Sequence, residues 1–335
     1  MKRGFTFERP MRDWHARKRY LHEHYRNLDG VRFRPTGEPA TTAQTPSGPL
    51  VFTTSTRLHG LTCLVTEAPG ATLGNAIDEL LALRYSKESS TDTAEWGRHR
   101  VRQLTFGPID WSTREPRTPA ELESWDEVWK HYLHMLRGML KYLRADTIED
   151  QHTRTGLGRH GMVLAFHAAV GREPMLGDSP EHRHSRLRTA RLGEMLEIAG
   201  SDEISAAADM LHLATTALPA PSRLTRSMVR PQCGHGQADL LLDGTLIEVK
   251  SGGSTRMQTL LTGESIHQLL GYVLSVPPAL EKKHPVTRAG WYLARYGLLW
   301  DFPIEEIPRL VYGKPLSLDA AREAFRRGVP PAEDS

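Results

Sequence analysis

The chain has 335 residues, is 39% hydrophobic and 25% charged, and carries a net charge of +3. That is the balance of an ordinary globular protein with material for one large domain or two moderate ones. Its two cysteines, Cys63 and Cys233, exclude a disulfide framework, an all-cysteine iron–sulfur cluster and a four-cysteine zinc site. No apolar run approaches a membrane span. The basic start "MKRGFTFERPMRDWHARKRY" lacks the apolar core of a secretory signal, so a cytoplasmic protein with no membrane partner is expected.

Residues 1–48 read as a basic arm and linker. "RDWHARKRYLHEHYR" interleaves cations, Lys18 and Arg19 among them, with aromatics. A surface that tracks a nucleic-acid backbone needs that pattern, and a solvated helix face produces it equally well. "TGEPATTAQTPSGP" is a connecting stretch. In 49–86, "LVFTTSTRLHGLTCLVTEAPG" alternates as one or two strands would. "TLGNAIDELLALRYS" then sets Leu73, Ile77, Leu80 and Leu81 at helical spacing.

Residues 87–228 are expected to be mostly helical. "PAELESWDEVWKHYLHMLRGMLKYLRADTIED" predicts a long helix with an apolar stripe through Trp125, Val128, Tyr132, Met135 and Met139. "GMVLAFHAAVG", "RLGEMLEIAG" and "ISAAADMLHLATTAL" are further helices. "RTGLGRHG" lacks the preceding strand and the lysine of a nucleotide loop and reads as a turn. "HRHSRLRTAR" (182–191), with Arg183 and Arg186, is a second basic cluster. From 229 to 335 the texture turns to β, interrupted by the helix "GESIHQLLGYVLSV". The expected fold class is α/β: a mixed sheet flanked by helices, with a large helical N-terminal and central region.

Chemistry concentrates in "GQADLLLDGTLIEVKSG", residues 236–252. Asp243-Gly244 between two apolar runs is a strong hairpin signal. Glu248 and Lys250 are two apart on the second strand and leave one face; Ile247 and Val249 leave the other. Pairing across the turn brings Asp239 near Glu248. Two carboxylates and an ammonium are costly to bury on one face unless a dication joins them. Magnesium accepts such hard oxygen ligands, and a lysine beside it would orient water and offset charge at phosphorus. The bland alternative is a surface hairpin with one Glu–Lys pair.

Asp239 followed by Glu248-Val249-Lys250 resembles the D…(D/E)-x-K signature of the PD-(D/E)XK nuclease superfamily, with Ala238 in place of the usual proline. The helix "IHQLLGYVL" places Gln268 and Tyr272 one turn apart and resembles the Q-x-x-x-Y helix of its RecB-type exonucleases. The resemblance implies a restriction-endonuclease-like core with Mg2+ or Mn2+ on Asp239, Glu248 and the Val249 carbonyl. It also implies Lys250 as the catalytic lysine, with Gln268 and Tyr272 steadying the nucleic-acid strand. In "LGNAIDELLALR" Asp78 stands where the family usually has a histidine metal ligand; Glu194 and Glu197 are rivals for that role. Arg295, in the turn that ends "WYLARYG", would contact a phosphate or simply solvate a strand end. The expected function is a metal-dependent nuclease hydrolysing DNA, in repair or anti-phage defence. No Walker motif is present, so any ATP dependence would come from a partner, a separate ATPase or helicase or another system component, and a homo-oligomer is compatible. The alternative is a catalytically inactive nuclease-fold module for DNA binding or assembly.

Overall fold

A computed structural model describes residues 14–25, 32–35, 51–54, 71–86, 109–110, 115–116, 119–172, 192–234, 236–251 and 263–332. Contacts divide the chain into two compact units. One holds Met1–Cys63, Thr225–Lys250 and Ser254–Ser335; the other holds Leu64–Leu224 and Ser251–Gly253. The fold is mixed α/β, as the sequence implied.

The first unit is built on a five-stranded sheet. Its strands are β1 (Ser227–Val229), β2 (Leu240–Leu242), β3 (Thr245–Lys250), β4 (Arg288–Leu293) and β5 (Leu298–Pro303), in spatial order β5-β4-β3-β2-β1. Only the β3–β4 pairing is parallel. The β2–β3 turn is the expected Asp-Gly hairpin, with Asp243 at φ 41° and Gly244 at φ 88°. Both central residues take positive φ, so the turn follows the twist of the strands. The Asp243 carboxylate anchors it by accepting from the Arg226 N–H at 2.8 Å and the Thr225 hydroxyl at 2.8 Å.

Four helices of this unit pack with the sheet or on one another: α1 (Trp14–His24), α2 (Gly263–Leu274), α3 (Glu306–Tyr312) and α4 (Leu318–Arg327). Leu241, Leu246, Ala289, Trp291 and Leu293 share a core with Ile266, Leu269, Leu270 and Val273 of α2. Tyr20, Leu21 and Tyr25, from α1 and the residue that ends it, join the same core. Each leucine, isoleucine or valine among them, fully buried, contributes about 1.5–3 kcal/mol. The N-terminal helix is therefore a structural layer of the sheet unit. Two short parallel strands, Arg32–Pro35 and Val51–Thr54, also fall in this unit.

The second unit is helical: Ala71–Tyr85, Pro119–Leu143, Gln151–Arg172, Leu192–Leu196 and Ser201–Ala217, with a two-residue strand pair at Ile109–Asp110 and Glu115–Pro116. Ala71–Tyr85 packs on Gln151–Arg172 and Ser201–Ala217. Leu73, Ile77, Leu80 and Leu81 are all buried. That helix belongs to the helical unit, although its sequence position had grouped it with the strands expected just before it in 49–86.

Two expectations are corrected in this unit. "RTGLGRHG" (154–161) is the middle of the Gln151–Arg172 helix. Its glycines serve close helix packing: a Cβ on Gly158 would lie 2.5 Å from the Ile204 carbonyl oxygen, and one on Gly161 would lie 2.6 Å from Leu80 Cδ1. The buried stripe of Pro119–Leu143 runs through Trp129, Tyr132, Leu136, Leu140 and Leu143, while Met135 is 38% exposed. Tyr132 is common to both stripes, but the leucines set the face. Gly158→Val is expected to lower the unfolding free energy by about 1–3 kcal/mol in a urea titration. Gly138→Ala serves as the contrast, since nothing lies within 4 Å of its added Cβ. It is expected to stabilise by about 0.5–1 kcal/mol through helix propensity alone.

Candidate active site

The register of the β2–β3 hairpin fixes the site. Leu240 faces Ile247 and Leu241 faces Leu246, so Asp239, one residue before β2, falls opposite Glu248. On the other side Glu248 is paired with Trp291 of β4. Alternation sends Leu246, Glu248 and Lys250 to the face covered by α2. Ile247 and Val249, on the opposite face, are also buried. The hairpin thus carries one carboxylate into an apolar layer, beside Leu246 and Trp291.

A continuous polar chain runs from that carboxylate to α2. The Lys250 ammonium donates to Glu248 Oε1 at 3.1 Å and to Gln268 Oε1 at 2.9 Å. Gln268 Nε2 donates to the Tyr272 hydroxyl oxygen at 2.9 Å. Asp239 Oδ2 accepts the backbone N–H of Val249 at 2.7 Å, which pins its carboxylate against β3. Six residues singled out from the sequence therefore meet in one place.

Glu248 is only 6% exposed. Burial, reinforced by the neighbouring Asp239 carboxylate, pushes its carboxyl up to about 8; the Lys250 ammonium pulls the other way. Its Oε2 is buried with no hydrogen-bond partner among the described residues. Asp239 lies within hydrogen-bonding reach of Glu248, but two carboxylates satisfy each other only by sharing a proton or a cation. An orphaned carboxylate oxygen beside a second carboxylate fits a hard divalent ion completed by water and a substrate oxygen. Among the described residues no three His, Cys, Asp or Glu side chains gather into a metal-holding group.

Comparison with family models, with curated proteins and with solved structures finds no match. What the site can do is therefore read from its own residues.

A cleft of about 290 Å³ opens beside Lys250 and Gln268, and α1 supplies its other wall through Lys18 and His22. Lys18 there pairs with Glu264 of α2 at 2.6 Å and Arg19 is exposed. The basic helix is thus half wall and half surface: Lys18 is engaged in an ion pair, and Arg19 is open to solvent. Arg295 lies in the turn between β4 and β5 and is 2% exposed. A buried guanidinium does not solvate a strand end. Asp78 is partly buried on Ala71–Tyr85 in the helical unit, and Glu194 and Glu197 lie in that unit as well. Arg183 and Arg186 lie outside the described residues.

Sequence reading missed Arg17, one residue before Lys18. It is 1% exposed and lies against Tyr272. The signal available was Gly271 inside an otherwise good helix, where a missing side chain marks a close approach. Among the described residues no helix is long and apolar enough to cross a membrane.

Proposed function

We propose that this chain is a magnesium- or manganese-dependent deoxyribonuclease with a restriction-endonuclease-like core, of the RecB-type subgroup of the PD-(D/E)XK nucleases. The observation that carries the reading is the buried Glu248 carboxylate. Its Oε2 has no hydrogen-bond partner among the described residues, while Asp239 crowds it and Lys250 stands 3.1 Å from its Oε1. Such a cluster destabilises a fold that has no use for it.

Asp239, Glu248 and the Val249 carbonyl would hold the ion, which when bound supplies Lewis acidity and an acidified water. The protein's own residues do the rest. Lys250, fixed between Glu248 and the Gln268 amide oxygen, orients the attacking water and offsets charge growing on the phosphate. Tyr272 accepts from Gln268, which leaves its own O–H to donate to a phosphate oxygen of the strand. Lys18 and Arg19 attract the backbone from α1. No base-reading element is evident among the described residues, so cleavage with low sequence preference is proposed. A role in repair or anti-phage defence, beside a separate ATPase or helicase, is consistent with this chemistry.

Thermal melting tests the metal site without any assumption about substrate. Magnesium or manganese is expected to raise the melting temperature of the wild type, and Asp239→Asn to remove that response. An identical response in both proteins would place metal binding elsewhere and remove the support for the reading.

A further inference from the structure

The N-terminal helix also reaches the site through a buried cation. Arg17 of α1 is 1% exposed and its Nη1 donates to the Cys233 carbonyl at 3.2 Å. Its Cζ lies 5.4 Å from the centre of the Tyr272 ring and 5.9 Å from that of Phe325 in α4. Two glycines make this placement possible. A Cβ on Gly271 would stand 2.6 Å from Nη2 and 2.8 Å from Nε, inside the guanidinium. A Cβ on Gly236 would stand 2.5 Å from Cε1 of Tyr272. The backbone is bare on both sides of the pair, and the guanidinium lies against the ring as cations prefer to do.

Helix propensity alone would favour Ala over Gly at position 271 by about 1 kcal/mol. The position is instead given over to Arg17. Tyr272 in turn accepts from Gln268, and Gln268 accepts from Lys250. We infer that Arg17 is a positioning residue for the active site: from the N-terminal helix it holds the Tyr272 ring, and through it the Gln268–Lys250 relay, in the geometry that receives the substrate strand. This rests on the nuclease reading for its function, and on the contacts alone for its mechanics.

Two readouts separate those levels. The first is the side-chain amide resonance of Gln268, followed in wild type, Arg17→Met, Gly271→Ala and Tyr272→Phe. If Arg17 holds the ring, Arg17→Met and Gly271→Ala move this resonance in the same direction as Tyr272→Phe. The Gly271→Ala variant keeps the cation but takes its place, so it decides the matter if Arg17→Met fails to fold. The second readout is a cleavage cycle on duplex DNA. Arg17→Met and Tyr272→Phe are each expected to raise KM about tenfold with little change in kcat, and the double variant to be no worse than either. An unmoved Gln268 resonance in folded Arg17→Met and Gly271→Ala overturns the inference, as do multiplicative effects in the cycle. If the wild type fails to cut while the resonance still moves, the nuclease reading falls and the positioning role stands.

Discussion

Lys250→Ala is expected to lower the single-turnover rate of DNA cleavage by about a hundred- to ten-thousandfold, the range for a positioned polar group at a reacting centre. Lys250 bridges the two halves of the site, with 3.1 Å to Glu248 and 2.9 Å to Gln268. Its side chain is 20% exposed, so the ammonium faces the cleft while its stem is packed. Truncation removes a cation, not core volume, and a circular dichroism melt is expected to show an intact fold. It also removes the charge that draws the Glu248 carboxyl downward, so metal binding should shift to higher pH. Lys250→Arg keeps charge but not its compact geometry, and is expected to recover only part of the rate. A Lys250→Ala protein that cuts within about threefold of wild type would remove this residue from the chemistry.

Glu248→Gln is expected to separate stability from activity. In metal-free buffer the native Glu248 carboxyl is raised to about 8 by burial and by Asp239. A raised carboxyl contributes most to stability below its unfolded pKa, about 4.3, and that contribution is lost as pH climbs through about 8. With metal absent, the wild-type melting temperature should therefore fall between about pH 5 and 8 relative to Glu248→Gln, which has no such group. At about pH 8 the variant is expected to be the more stable by on the order of a few kcal/mol. Activity should move the opposite way. Only the deprotonated carboxylate binds a metal, so affinity rises with pH over the same window and binding releases a proton. Glu248→Gln should lose metal-dependent cleavage at every pH. Parallel melting profiles for the two proteins would show that Glu248 does not titrate as its surroundings require.

The site was legible because its parts are local in sequence and obey fixed periods. An Asp-Gly turn sets the register, strand alternation puts Glu248 and Lys250 on one face, and a four-residue helical spacing aligns Gln268 with Tyr272. Features set by packing between distant segments were not legible. Nothing in "WHARKRYLHEH" distinguishes a buried Arg17 from an exposed Arg19; the difference is made by Gly271 and Gly236, more than two hundred residues away. "RTGLGRHG" has the composition of a turn, and only the close approach of Ile204 and Leu80 explains glycines within a helix. The stripe of Pro119–Leu143 was displaced because Met and Leu are equally apolar in a periodicity count, while leucines at 136, 140 and 143 turn inward. The burial of Arg295 was hidden for a related reason: a cation at a strand end looks solvated until the fold closes over it.

The most direct test is incubation of the wild-type protein with linear and circular, single- and double-stranded DNA in magnesium or manganese, beside the same mixtures in EDTA. Metal-dependent cleavage of at least one form, absent in EDTA, is the expected result, with circular against linear substrate separating endonuclease from exonuclease action. Intact DNA in every mixture, with the protein nonetheless shifting it in a salt-dependent way, would contradict a nuclease and leave a DNA-binding module in its place.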